Sequence, residues 1–183
     1  MSLLVISPGV CTTIQDGGRP GYREWGVAPG GAFDRRSLGL ANALLGNPLD
    51  AAALELTLIG GTYRASASLA IALAGAPMEA NVEPHQGPRR QLQIPQTATL
   101  NEGDHLILRG TAIGARTYLA VKGGWRVPAL LGSRSREKPV TAGDVLPAAP
   151  STTLVRRLPN GQIPDPGGAP VRIVHGPDAV RNR

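Results

Sequence analysis

The spacing of apolar positions changes several times along the chain, and each change marks an element. Leu3 to Ile6 is a short apolar run closed by Ser7-Pro8-Gly9, which predicts an opening strand and a turn, with a second strand through Cys11 to Ile14. Gln15 to Gly31 is dense in glycine and proline and reads as loop. Asp34 then stands as the cap of a helix whose apolar positions Leu38, Ala41, Leu44 and Leu45 recur at helical spacing, with Gly46-Asn47-Pro48 as its stop.

After Asp50 the period becomes two. Leu54, Leu56 and Leu58 share one face of a predicted strand and Glu55 the other, facing either solvent or a barrel opening. Gly60-Gly61 is a hairpin candidate leading into Thr62 to Ala65. In the next strand Leu69, Ile71 and Leu73 alternate with alanines, so its small-residue face must pack tightly. Further strands are expected at Gln91 to Ile94, Thr97 to Leu100, Asp104 to Arg109, Arg116 to Val121, Leu154 to Leu158 and Val171 to Val174. Leu100-Asn-Glu-Gly-Asp-His-Leu is echoed by Val140-Thr-Ala-Gly-Asp-Val-Leu, two Gly-Asp turns each feeding a strand. Strand following strand with one helix, near residues 34–45, predicts a mainly β domain, closed or partly closed as a barrel. Neither Pro147 to Pro150 nor Asn160 to Pro170 divides two domains, so residues 1–183 read as a single β-barrel-type region.

Composition narrows the function classes. A hydrophobic content of 42% over 183 residues is ample for a core, and 24 glycines with 17 prolines fit many turns. The lone Cys11 makes no intramolecular disulfide and no secretory leader pattern opens the chain, so a cytoplasmic location is expected. The longest apolar run, Leu69 to Pro77, is far short of the roughly 20 residues of a membrane helix. The net charge of +6 comes almost wholly from scattered arginines, and aromatic residues are 3% of the chain, too few for base-stacking platforms. Neither nucleic acid nor membrane is therefore expected as a partner.

Candidate chemistry lies in the loops. Asp16-Gly17-Gly18-Arg19-Pro20-Gly21 and Ala28-Pro29-Gly30-Gly31-Ala32 match neither a Walker loop nor a dinucleotide fingerprint. Their backbone N–H groups suit an anion or carboxylate, although tight turns are the commoner use of such glycines. Gln15, Asp16 and Arg19 place an amide, a carboxylate and a guanidinium within five positions. They can orient an amide or lactam, with Asp16 as base and Arg19 as clamp, or form an internal Asp–Arg pair that holds the loop closed. Asn42, polar among apolar neighbours, is a weaker ligand-binding candidate beside a role in satisfying backbone groups. His85, His105 and His175 are isolated, which leaves a zinc site without support, and Cys11 reads as a small core residue.

In order along the chain, Thr12-Thr13-Ile14-Gln15-Asp16-Gly17-Gly18-Arg19-Pro20-Gly21, Gly30-Gly31-Ala32-Phe33-Asp34, Ala41-Asn42, Gly46-Asn47-Pro48 and Ala53-Leu54-Glu55-Leu56-Thr57-Leu58 resemble the N-terminal signature of a known family. That family is the allophanate hydrolase subunit 2, or biotin-dependent carboxyltransferase, family. Leu73-Ala74-Gly75-Ala76, Tyr118 to Gly124 and Leu131-Gly132-Ser133-Arg134-Ser135 add to the match. The resemblance implies a cyclophilin-like β-barrel and a B-like partner subunit. In the 5-oxoprolinase members it also implies ATP-dependent lactam activation before an A-like protein completes ring opening to glutamate. On this basis Asp16 and Arg19 are expected as catalytic residues, Gln15, Gly30, Gly31 and Asn42 as substrate-binding residues, and ATP as acting through the complex. The alternatives are urea carboxylation with biotin, and a non-catalytic module that antagonises a kinase inhibitor. Two departures stand out: the segment after Ser135 is short, and Val171 to Asp178 resembles the start of the family's second half, as in the N-terminal part of a longer architecture.

Overall fold

A computed structural model describes residues 2–158. Eleven strands form two antiparallel sheets. Their ranges are β1 Ser2–Ser7, β2 Cys11–Gln15, β3 Ala53–Thr57, β4 Thr62–Ala65, β5 Leu69–Gly75, β6 Ala80–Glu83, β7 Arg90–Leu92, β8 Gln96–Leu100, β9 His105–Leu108, β10 Arg116–Val121 and β11 Val145–Pro147. The six-stranded sheet runs β11-β1-β4-β9-β6-β7 and the five-stranded sheet β2-β3-β10-β5-β8. One α-helix, α1 (Arg35–Leu45), and a 3-10 turn, Arg23–Trp25, complete the elements. The mainly β class with one helix is as the sequence predicts; among the described residues the two sheets face one another and no ladder of hydrogen bonds closes them into a barrel.

The period-two pattern decides which side chains meet. Leu54 and Leu56 of β3, Leu69, Ile71 and Leu73 of β5, and Leu119 and Val121 of β10 point into the space between the sheets. There they bury against Leu3, Val5, Tyr63, Val82 and Leu106 of the other sheet. Fully burying one such side chain stabilises by about 1.5–3 kcal/mol. The alternate positions, Ala53, Ala70, Ala72, Ala74 and Ala120, form the opposite face of the five-stranded sheet, on which Leu38, Ala41, Leu44 and Leu45 of α1 pack. Alanine is what lets a helix lie this close to a sheet. Asp34 caps α1 through Oδ1, which accepts from the N–H groups of Arg36 (3.1 Å) and Ser37 (3.0 Å), and Gly46 ends it in the left-handed conformation.

The two Gly-Asp turns are structurally alike as well as similar in sequence. Gly103 N–H donates to Ala65 O and Ala65 N–H to Asp104 O; Gly143 N–H donates to Val5 O and Val5 N–H to Asp144 O. Each aspartate accepts from the residue three before it, Asn101 or Thr141.

Three expectations need correction. Gly60-Gly61 does not turn a hairpin, because β3 and β4 belong to different sheets; the glycines carry the chain across, where a Cβ on Gly60 would stand 2.4 Å from Leu108 Cβ. Leu154 to Leu158 forms no strand: Arg157 makes a single bridge to Gln96, and Leu154 and Val155 are exposed. The strand β6 falls outside the predicted set, since Pro77 and the polar residues Glu79 and Asn81 break its pattern. Val171 to Val174 and His175 lie outside the described residues. Among those described, no helix is long and apolar enough to cross a membrane.

Candidate functional site

The loop after β2 and the loop before α1 are laid backbone to backbone. Arg19 N–H donates to Pro29 O (2.7 Å) and Ala32 N–H to Asp16 O (2.9 Å). Only glycine permits this approach: at Gly18, with φ +83°, a Cβ would stand 2.7 Å from Pro29 O, and at Gly31, with φ +96°, 3.1 Å from Gly18 N. The N–H groups of Gly18, Arg19 and Ala32 are spent on protein acceptors and are not open to an anion. The glycines thus serve as close-approach positions.

Asp16 is 7% exposed and accepts four protein donors. Oδ1 takes Ser133 Oγ (2.6 Å), Ser135 Oγ (2.7 Å) and Gly18 N–H (2.8 Å), while Oδ2 takes Arg134 N–H. Burial works to raise its pKa, but hydrogen bonds from Ser133, Ser135, Arg134 and Gly18 outweigh it and hold the carboxyl below its ordinary 3.8. A carboxylate so occupied is an organiser of backbone and a poor proton acceptor. Arg19, 8% exposed, donates to two carbonyls of the same segment, Nε to Leu130 O (3.3 Å) and Nη2 to Ser135 O (2.6 Å). Together they brace a tight turn, Leu130 to Ser133, in which Leu131 (φ +51°) and Gly132 (φ +79°) are both left-handed.

Gln15 ties β2 to the far end of this segment, donating from Nε2 to Arg136 O (3.0 Å) and to Thr13 Oγ1 (3.0 Å), and its buried Oε1 has no partner among the described residues. Asn42 has no exposed surface. Its Nδ2 donates to Ala51 O (2.8 Å) and Leu49 O (3.3 Å), and its Oδ1 accepts from Asn47, which in turn holds Val121 O and Gly123 N–H. The amide therefore satisfies backbone and couples α1 to the turn after β10.

Two cavities flank these loops. An open cleft of about 760 Å³ lies between Asp16 to Gly18, Asp50 to Ala52, Gly123 to Pro128, Gly132 and Arg134. A smaller cavity of about 320 Å³ lies at the start of α1, lined by Phe33, Asp34, Arg36, Ser37, Leu40, Gly75, Ala76, Pro95, Gly114, Ala115 and Arg116. Of the sequence-predicted residues only Asp16 lines either space; Gln15, Arg19, Gly30, Gly31 and Asn42 hold the walls from behind.

The sequence left Glu55 undecided and passed over Tyr118 and Arg116. All three meet at the small cavity, Arg116 in its lining and Glu55 and Tyr118 behind it. Glu55 is 8% exposed, and its Oε2 accepts Tyr118 Oη (2.6 Å) and Phe33 N–H (2.8 Å). Tyr118 Oη also accepts Asp34 N–H (2.8 Å), so the pair fixes the cavity's rim. Burial, then the neighbouring Glu55, push the Tyr118 hydroxyl far above its usual 10. Arg116 Nε lies 3.3 Å from Glu55 Oε1, and its guanidinium stacks 5.2 Å above the Phe33 ring. Strand register gives the signal that finds this group: Tyr118 is paired with Glu55, and both lie on the helix face of the sheet. Ser133 and Ser135 stand 117 and 119 positions from Asp16, a contact that no local pattern announces. No group of three or more His, Cys, Asp or Glu among the described residues is placed to hold a metal ion.

Comparison with known proteins adds a family, two relatives and two solved structures. A family model, carboxyltransferase domain, subdomain A and B, matches residues 25–182. The chain is 42% identical over 134 residues to urea amidolyase of Lachancea kluyveri, covering 72% of this chain and 7% of that protein. It is 39% identical over 144 residues to the C subunit of 5-oxoprolinase from Escherichia coli, covering 77% of this chain and 44% of that protein. Among solved structures, TTHA0988 superposes with a TM-score of 0.78 at 34% identity, over 90% of this chain and 63% of that one. Urea carboxylase of Kluyveromyces lactis gives 0.71 at 34% identity, over 79% of this chain and 13% of that one. The chain spans less than half the length of these curated relatives.

Proposed function

The chain belongs to the family of carboxyltransferase domains, subdomain A and B, and from that premise we propose that it is part of an ATP-dependent 5-oxoprolinase. Its partner in this reading is a B-like protein, with an A-like protein completing ring opening of 5-oxoproline to glutamate in the cytoplasm. The likeness to the C subunit of a 5-oxoprolinase over 77% of the chain agrees with it.

The observation that carries the reading is the small cavity. Its volume of about 320 Å³ suits a compact ring, and Leu40, Ala76, Pro95 and Ala115 give it apolar walls. Urea carries N–H or C=O on every edge, and an edge turned to those apolar walls is left unpaired at a cost of roughly 1–3 kcal/mol per group. A lactam presents an apolar ring flank to the same walls. Asp16 and Arg19 act in this proposal as positioning residues, fixing segment 130–135 and with it the open cleft. Gln15, Gly30, Gly31 and Asn42 keep the surrounding backbone in place. ATP enters through the complex, since the glycine loops match no Walker loop.

A second reading, carboxylation of urea with biotin, is favoured by the 42% identity to a urea amidolyase. Mixing the chain with A-like and B-like partner proteins and following ATP-dependent glutamate release from 5-oxoproline separates the two. Turnover supports the first reading. Partner proteins that are active with another C-type protein but silent with this one would sink it, and biotin-dependent consumption of urea would establish the second. Tight partner binding with neither reaction identifies a regulatory binding module.

A further inference from the structure

Arg116 is under-coordinated for its surroundings. A guanidinium carries five N–H donors, yet among the described residues Arg116 makes one hydrogen bond, from Nη1 to the carbonyl of its neighbour Ala115 at 3.4 Å. Its Nε is buried and without a hydrogen-bond partner; Glu55 Oε1 is close enough for an ion pair but out of line with the N–H. The other Glu55 oxygen is taken by Tyr118 and Phe33.

Beneath the guanidinium lies Phe33, an aromatic ring 80% exposed on the cavity rim. Large apolar surface left open is costly in the free protein, and the terminal N–H groups of the guanidinium, which make a single protein hydrogen bond, are open to solvent or to a ligand. One kind of ligand uses both: a flat body against the apolar wall with a carboxylate on the guanidinium's free edge. Two guanidinium groups, Arg36 and Arg116, line the cavity, and the oxygens of Asp34 are already occupied by the backbone of Arg36 and Ser37 and by the Ser37 hydroxyl. Glu55 and Asp34 balance the two cations, so the cavity offers cationic donors among apolar walls without a net positive charge.

We propose that this cavity is a binding site for a small carboxylate with a compact apolar ring, and that Arg116, stacked on Phe33, is the residue that recognises the carboxylate. The choice of 5-oxoproline as that carboxylate rests on the functional reading above.

Titration calorimetry on the full chain with 5-oxoproline, and with 2-pyrrolidinone as the same ring without the carboxylate, tests the assignment. The expected result is saturable binding of 5-oxoproline at millimolar concentrations or below, weakened about tenfold or more for 2-pyrrolidinone and for Arg116→Gln. Arg116→Lys, which keeps the charge and loses the planar fork, should fall between. Thermal melting of each variant establishes that it is folded.

Equal affinity for both ligands, undiminished binding by folded Arg116→Gln, or no saturable binding of 5-oxoproline overturns the site. So does binding that survives Arg116→Gln but is lost in Arg134→Gln, which places the ligand in the open cleft. The reconstituted complex keeps the two ideas apart. Turnover equal in wild type and Arg116→Gln removes the site and leaves the functional reading standing, whereas Arg116-dependent binding without turnover does the reverse.

Discussion

Asp16 and Arg19, three positions apart on one loop, do not pair with each other; each grips the segment Leu130 to Ser135 with opposite polarity. Asp16 accepts that segment's hydroxyls and one N–H, and Arg19 donates to its carbonyls. Removing the carboxylate therefore strands four donors at once. Asp16→Ala is expected to lower stability by about 3 kcal/mol or more, and Asp16→Asn by less, since an amide oxygen still accepts. Urea unfolding of the three proteins measures this; a loss under about 1 kcal/mol for Asp16→Ala contradicts the assigned role.

The same carboxylate sets an acid limit. Its folded pKa lies below the ordinary 3.8, so the unfolded chain binds the proton more readily and the stabilisation is present above that value. It is lost as pH falls through the folded pKa. Unfolding free energy of the wild type should drop as pH is lowered below about 4, and the drop should be smaller in Asp16→Asn.

Leu131 holds φ +51° in the braced turn with its side chain 42% exposed. A left-handed backbone costs a leucine about 1–2 kcal/mol, and asparagine tolerates it better. Leu131→Asn is expected to raise stability by up to about 1 kcal/mol, read from the denaturation midpoint. A clear decrease shows that the leucine side chain contributes more than the strain costs.

Burial raises two tyrosine hydroxyls, Tyr63 to about 12 and Tyr118 further still. A folded pKa above the unfolded 10 gives stability that is complete below pH 10 and lost as pH rises through the folded value. Ultraviolet titration should show these two phenols ionising only together with alkaline unfolding. Tyr118→Phe leaves the Asp34 N–H without its acceptor and Glu55 without one of its donors, and should destabilise by about 1–3 kcal/mol.

Asn42→Ala removes donors to Leu49 and Ala51 and the acceptor of Asn47 from a fully buried position. The expected cost is about 2–3 kcal/mol. Hydrogen exchange at the Gly123 amide, held by Asn47, should speed up with it. Unchanged protection there breaks the proposed link between α1 and that turn.

Local sequence pattern by itself determined the mainly β class, the one helix with its Asp34 cap and Gly46 stop, most of the strands or the turns that feed them, and, through ordered motifs, the family. These features are set by side-chain period and backbone chemistry within a few residues, which a linear reading sees directly. It also placed alanines on a tightly packed face, where α1 now lies. Only the tertiary structure decided what the polar residues do. Asp16 looked like a base because its neighbours in sequence are loop residues; its real partners, Ser133 and Ser135, arrive from more than a hundred positions away and consume its oxygens. Arg19, expected as a catalytic residue, and Asn42, expected to bind substrate, each hydrogen-bond backbone carbonyls from buried positions. Arg116 stood in no motif, and Phe33 stood in one without a role, because a cavity wall is made by register between strands and by a loop folded over them, and neither is written in local spacing.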